Sequence, residues 1–348
     1  MIPMRFSELL GQEKAKTALR QALAQEKLPH AYLFTGIQGI GKTSMARALA
    51  TRLNCQKPTP EDSCGHCPPC RQMARGNFPD FIEIRPDGAY IKIGQIRELN
   101  RKLNFAPVSG TFRLSVLIQA EKMTAEAANS FLKTLEEPPP GNVLVLNATE
   151  PRDLLPTIIS RCQKISFQPL PVEEISRWLV EQKTLDEEQA QLAAKLCGGS
   201  LARAIQLSGD DFFEKRQAWL LQLMRLPGLK LEKALELSLE NLSGIKEKST
   251  ATQKGQGESG MNLLTVWETW YRDLMVAKTG GPPDLMINMD FSKKLKKTAK
   301  GLSISHLERA LLAIDAAQRA IKNMRNSKLV MEHLVLQLKA LSLQEREV

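Results

Sequence analysis

Aromatic residues are scarce in this chain, at 5% of 348 residues, so a core must be built mainly from aliphatic side chains. No stretch approaches the ~18 apolar residues that a membrane span requires. The opening residues Met1-Ile2-Pro3-Met4-Arg5-Phe6-Ser7-Glu8 carry no apolar signal core, and a cytoplasmic location is the expectation. Cysteine, at six residues, is too sparse for a disulfide-stapled fold. Four of the six lie close together, which in a cytoplasmic chain points to metal rather than disulfides. No internal repeat of fixed period is present. What remains is an ordinary globular composition, 43% apolar and 25% charged. That excludes a disordered polar chain, a collagen-like repeat and a coiled-coil rod. The length allows two or three domains at ~150 residues each. Lysine plus arginine exceeds aspartate plus glutamate by 48 − 38 = +10. The excess suits acidic partners such as nucleic acid without identifying one.

The first half alternates helical patterns with short apolar runs. Ala31-Tyr32-Leu33-Phe34, Phe81-Ile82-Glu83-Ile84, Leu114 to Ile118 and Val143 to Leu146 read as strands. Such runs suit a parallel sheet buried on both faces, with helices between the strands. Thr124 to Glu137 reads as a helix, with Thr124 at its start, Glu126 in the first turn and Pro138-Pro139-Pro140 as the stop. After Pro169-Leu170-Pro171 the pattern becomes helical from Val172 to Leu207, broken at Gly198-Gly199-Ser200. From about Asp211 it is helical again. Leu307, Leu311, Ile314 and Ile321 fall on one helical face, as do Val330, Leu334, Leu338 and Leu341. Lys246 to Gly260 is polar, with glycines and no apolar anchors, and reads as a mobile loop.

Gly36-Ile37-Gln38-Gly39-Ile40-Gly41-Lys42-Thr43 matches the phosphate-loop pattern G-x-x-x-x-G-K-[ST] completely. Gly36, Gly39 and Gly41 let backbone N–H groups turn inward around phosphate oxygens, Lys42 reaches the β/γ-phosphates, and the Thr43 hydroxyl binds Mg²⁺. A strand-like run precedes the loop, and Ser44 to Leu53 reads as the following helix.

Cys55, Cys64, Cys67 and Cys70 are spaced C-x8-C-x2-C-x2-C. The two short steps sharing Cys67 bring three thiolates to one ion, and Cys55 can close a tetrahedral site. Four thiolates with no open position point to structural zinc; an iron–sulfur cluster uses the same number of ligands. His66 lies between ligands; it could replace one of them, but reads better as a solvent-facing bystander. Cys162 and Cys197 read as buried small residues.

Further motifs come in a fixed order: Val116-Leu117-Ile118-Gln119-Ala120-Glu121-Lys122-Met123-Thr124, then Leu132-Lys133-Thr134-Leu135-Glu136-Glu137-Pro138-Pro139, then Ser160-Arg161-Cys162. With the phosphate loop and the four cysteines, they resemble the AAA+ subunits of the bacterial DNA polymerase III clamp loader. The specific motifs cover about the first 210 residues. The resemblance implies an α/β fold: a RecA-like AAA+ parallel sheet with helices on both faces, then a small helical lid and an all-α collar domain. The implied boundaries are 1–168 with the metal module at 55–70 inserted, 169–209 for the lid and 210–348 for the collar.

ATP-hydrolysing members of that family carry Asp-Glu after the strand that corresponds to Leu114–Ile118. The aspartate holds Mg²⁺ and the glutamate polarises the attacking water. Here the matching residues are Gln119 and Ala120. Glu121 is one position further on and, if the strand continues that far, points to the strand's other side. The departure makes the chain resemble the delta-prime group, which does not hydrolyse ATP. The resemblance also implies that Arg161 is an arginine finger acting in trans on a neighbour's γ-phosphate. The family's lid arginine is not matched: Gly199-Ser200-Leu201 is followed by Ala202, and Arg203 lies one residue later, about 100° round a helix. The run Lys293-Lys294-Leu295-Lys296-Lys297 with Lys300 reads as a solvated helix face.

These features combine into a non-catalytic clamp-loader subunit with structural Zn²⁺, which binds ATP/Mg²⁺ without hydrolysing it. Its implied partners are the delta and gamma/tau subunits in a hetero-oligomeric ring, with the sliding clamp reached indirectly and primer–template DNA in the complex. Two alternatives remain: an ATP-hydrolysing subunit of gamma/tau type with Glu121 rescuing hydrolysis, and a free-standing zinc-containing nucleic-acid-binding protein.

Overall fold

In a computed structural model, residues 4–344 are described except 184, 210, 237–253 and 324. The chain divides into two compact units: Met1–Trp178 with Gly198–Ile205, and Leu179–Cys197 with Gln206–Val348.

The first unit is built on a five-stranded sheet. Its strands are β1 (Ala31–Thr35), β2 (Phe81–Ile84), β3 (Arg113–Ile118), β4 (Asn142–Ala148) and β5 (Gln163–Ser166). Their order across the sheet is β2-β3-β4-β1-β5, and every pairing is parallel. This is the expected α/β arrangement, a parallel sheet with helices packed on it. Successive residues of a strand point to opposite faces, and here both faces are apolar. Tyr32, Phe34, Leu114, Val116, Val143 and Val145 join one core with Met45 and Leu49 of the helix Lys42–Leu53. Leu33, Leu117, Leu144 and Leu146 join another with Leu99, Phe131 and Leu135. Helices cover both faces because both would otherwise expose leucine and valine.

Four of the five strands fall where the apolar runs placed them. The fifth, β5, gives no such signal. Only Ile165 of its four residues is buried, because an edge strand needs one apolar contact and its pairing with β1 supplies the rest. The helix Ala125–Glu136 starts as expected, with the Thr124 hydroxyl accepting the Ala127 N–H at 3.3 Å.

The second unit is helical. Its longest helices are Lys254–Lys278, Ile304–Lys322 and Ser327–Gln344, packed in that order. Trp267, Leu307, Ile314, Leu334 and Leu338 are buried in its core. The loop expected over Lys246 to Gly260 is corrected here. Residues 246–253 lie outside the described residues, but Lys254–Gly260 forms the first turns of the helix Lys254–Lys278. The apolar stretch from Leu263 to Leu274 is largely buried, and a helix anchored there extends upstream through residues that would not nucleate one alone. Lys293, Lys294, Lys296, Lys297 and Lys300 lie on the helix Ser292–Lys300, whose Leu295 and Ala299 face inward. Among the described residues, no helix is long and apolar enough to cross a membrane.

Candidate functional site

The loop Gly36–Gly41 joins the C-terminal end of β1 to the helix Lys42–Leu53, the edge of a parallel sheet where ligands bind. Gly36, Gly39 and Gly41 all have positive φ, at 141°, 78° and 108°, which residues with a Cβ rarely adopt. At Gly36 a Cβ would also meet the Phe167 carbonyl at 2.8 Å. At Gly39 a Cβ would strike the Ser200 hydroxyl and the Ala202 methyl. The Ala202 N–H donates to the Gly39 carbonyl at 3.1 Å. It is therefore Ala202, not Arg203, that sits on the loop. A Cβ at Gly41 would meet nothing within 4 Å.

The Lys42 ammonium donates to the Gly36 carbonyl and, at 2.9 Å, to that of Ile37. Burial lowers its pKa to about 8, and the Glu121 carboxylate pulls in the opposite direction. The Thr43 hydroxyl accepts from Asn147 Nδ2 at 3.1 Å. Asn147 lies near the end of β4 and is 2% exposed. Sequence reasoning missed it; the signal available was a polar residue near the C-terminal end of an apolar strand, the sheet edge where ligands bind. The donor set suits a nucleotide: inward-turned amides, an ammonium and a hydroxyl at a helix N-terminus, with oxygen ligands for Mg²⁺.

Beyond β3 the geometry departs from the extrapolated strand. The strand ends at Ile118, Gln119 is left-handed at φ 57°, and Ala120–Lys122 form a 3₁₀ turn. Glu121 is therefore not carried to the strand's far side. Its Oε1 accepts from the Thr149 hydroxyl at 3.1 Å, and the Thr149 carbonyl in turn accepts the Gly36 N–H at 3.1 Å. Ala120 is fully buried and Gln119 has no charge, so neither offers a carboxylate.

The four cysteines converge. Their Sγ atoms all lie within 4.8 Å of one another. Cys67–Cys70, Cys67–Cys55 and Cys64–Cys70 are separated by 3.4, 3.9 and 4.0 Å. A tetrahedral ion with ~2.3 Å Zn–S bonds requires S···S separations of about 3.8 Å, so the set fits zinc. The Cys64 N–H points to Cys55 Sγ at 3.2 Å and the Cys67 N–H to Cys64 Sγ at 3.4 Å, donors suited to thiolates. Burial raises the thiol pKa of Cys70 and of Cys55. At Cys64 burial acts the same way but is outweighed by the His66 and Cys67 amides, leaving the thiol at about 6. His66 is exposed and turns its Nδ1 to the Cys64 carbonyl at 2.9 Å, outside the cluster. The module is pinned by Asp62, whose carboxylate accepts the Phe6, Ser7 and Ser63 amides at 3.1, 2.9 and 2.8 Å. Cys197 is buried and Cys162 half-buried, away from the cluster.

Arg161 lies just past the short helix Pro156–Ile159. Its guanidinium donates to Glu136 Oε1 at 2.5 Å and to the Thr157 carbonyl at 2.9 Å. The fold thus joins two motifs far apart in sequence, the Leu135-Glu136-Glu137-Pro138 run and Ser160-Arg161-Cys162. The side chain is 34% exposed.

Residues 11–171 match the family model described as "DNA polymerase III, delta subunit". Over 328 residues, 94% of this chain, the sequence is 32% identical to DNA polymerase III subunit delta' of Bacillus subtilis, covering 96% of that protein. The chain belongs to the delta-prime family of DNA polymerase III subunits. It is thereby a member of the clamp-loader family of DNA replication. Tau subunits of the same polymerase are also similar. The Bacillus subtilis tau subunit is 32% identical over 291 residues, which are 80% of this chain and 51% of tau. A crystal structure of a gamma-subunit-related protein from Thermotoga maritima overlays with a TM-score of 0.47 at 22% identity, covering 94% of this chain and 99% of that one.

Proposed function

We propose that this delta-prime family member is a non-hydrolysing subunit of the replicative clamp loader. It holds nucleotide on Gly36, Gly39, Gly41, Lys42 and Thr43, and it presents Arg161 to the ATP of a neighbouring subunit. The observation that carries the reading is the end of β3: Gln119 and Ala120, the positions the resemblance matches to the acidic pair of hydrolysing members, offer no carboxylate, and Ala120 is fully buried. An alanine methyl cannot take a proton from water, and a neutral amide is a poorer metal partner than a carboxylate.

The remaining residues are suited to binding. The loop amides and Lys42 oppose phosphate charge, Thr43 offers an oxygen to Mg²⁺, and Asn147 orients that hydroxyl. Arg161 is partly exposed and held by Glu136, an exposed pair that costs little to exchange for phosphate. The four thiolates hold structural zinc, which supplies folding free energy to the module. Residues 169–209 serve as the lid and 210–348 as the collar. The partners are the delta and gamma/tau subunits, arranged in a ring that opens the sliding clamp on primer–template DNA in the cytoplasm.

The test is ATP turnover by the purified chain, with and without primed DNA, beside titration with labelled ATP. Turnover should be near zero, and Lys42→Ala should abolish binding. Turnover that Lys42→Ala removes would instead support the hydrolysing alternative, to which the likeness to tau and the placement of Glu121 lend support.

A further inference from the structure

We propose that Glu121 makes the phosphate loop discriminate between magnesium-complexed and metal-free nucleotide. The proposal rests on the reading that the loop binds nucleotide.

The left-handed Gln119 and the 3₁₀ turn after it return the Glu121 carboxylate to the loop. One oxygen is fixed by the Thr149 hydroxyl at 3.1 Å. The other, Oε2, is buried and has no hydrogen-bond partner. A buried carboxylate oxygen without a donor is costly, so a cation or a cation's water is the group that would satisfy it. A second orphan belongs to the strand that follows, on a residue bonded to the loop's Thr43. Asn147 is 2% exposed; its Nδ2 is spent on Thr43 Oγ1, and its Oδ1 has no partner. Glu121 Oε2, Asn147 Oδ1 and Thr43 Oγ1 are all hard oxygens. Mg²⁺ is commonly held by one or two carboxylates together with substrate phosphates and retained waters.

Lys42 does not meet this need: its ammonium bonds the Gly36 and Ile37 carbonyls and makes no hydrogen bond to Oε2. The sign of the effect is set by charge. A carboxylate beside the loop repels a bare polyphosphate and attracts one that carries a divalent cation. The carboxylate therefore weakens metal-free binding and strengthens metal-bound binding. It does so from outside the Gln119–Ala120 positions.

The experiment is titration of the full chain with fluorescent ATP, in excess Mg²⁺ and in EDTA. Wild type should bind more tightly with Mg²⁺. Glu121→Gln should compress the ratio of the two affinities by about tenfold or more, the scale on which ligand charge tunes divalent-cation sites. The EDTA arm should tighten or hold while the Mg²⁺ arm weakens. Thr149→Val, which frees Oε1 but keeps the charge, should compress the ratio by a smaller factor; it also tests the idea if Glu121→Gln melts early. An unchanged ratio in both variants overturns the proposal. Equal tightening in both arms also overturns it, making Glu121 only a counter-charge to Lys42. Wild-type binding in neither arm would bring down the nucleotide reading itself, and this inference with it.

Discussion

Replacing Arg161 with alanine separates a finger from a structural arginine, because the two roles differ greatly in energy. In the isolated chain the guanidinium pairs with Glu136, with the side chains 34% and 49% exposed. Ion pairs that open to solvent contribute up to about 1 kcal/mol. In a body of ~150–250 residues that corresponds to a melting shift of about 2–4 °C at most. Loss of a guanidinium from a transferring phosphoryl group costs ~10³-fold or more, or about 4 kcal/mol. Arg161→Ala should therefore leave melting nearly unchanged and ATP binding at Lys42 intact. DNA-stimulated hydrolysis by the assembled complex should fall in part, since other sites keep their own fingers, and clamp loading should fall further. Arg161→Lys should rescue little, because an ammonium lacks the planar fork. Glu136→Gln should melt within the same few degrees and keep hydrolysis, since it removes only the tether. The assay is hydrolysis and loading by complexes reconstituted with each variant. Unchanged rates with assembly intact would refute the finger. A large drop in melting temperature with unchanged rates would make Arg161 structural.

Cys67→Ser should lose the metal and cost at least a few kcal/mol, since a structural zinc contributes directly to folding; elemental analysis of wild type that finds iron instead would remove the zinc assignment. The half-buried Lys42 ammonium should give a pH signature. Its pKa is about 8 in the fold against 10.5 for an ordinary lysine, so the unfolded chain binds more protons between those values and stability rises with pH across the window. The rise, on the order of 1–2 kcal/mol after allowance for solvent screening, should be missing from urea denaturation of Lys42→Met measured from pH 7.5 to 10. Asp80 is fully buried and accepts the Val108, Ser109 and Gly110 amides and the Arg113 guanidinium. Asp80→Ala strands those donors and should cost about 3–5 kcal/mol, read as a shifted denaturation midpoint.

The legible features were those written in contiguous residues. Leu114–Ile118 is a strand because its apolar run has no alternative to burial, and the Thr124 cap acts three residues away. The phosphate loop depends on the positive φ that its glycines permit. The failures also have a pattern. Strand β5 has one buried residue of four, so its identity comes from pairing with β1 rather than from periodicity. Lys254–Gly260 looks like a loop by composition and becomes helix because the buried apolar segment from Leu263 to Leu274 anchors it.

By itself the sequence determined the α/β class, the positions of the four apolar strands, the loop that cradles phosphate and the cysteine spacing. Each of these depends on neighbours a few residues apart, where covalent geometry limits what the backbone can do. Only the tertiary structure decided what meets what at long range. It brought Ala202 onto Gly39, Asn147 to Thr43, Glu136 to Arg161 and Asp62 to the N-terminal segment. It also settled Glu121. The strand pattern pointed its carboxylate away, but a single left-handed residue at Gln119 turned it back toward the loop. A side chain's direction after a strand end depends on backbone rotations that the strand's two-residue period does not carry.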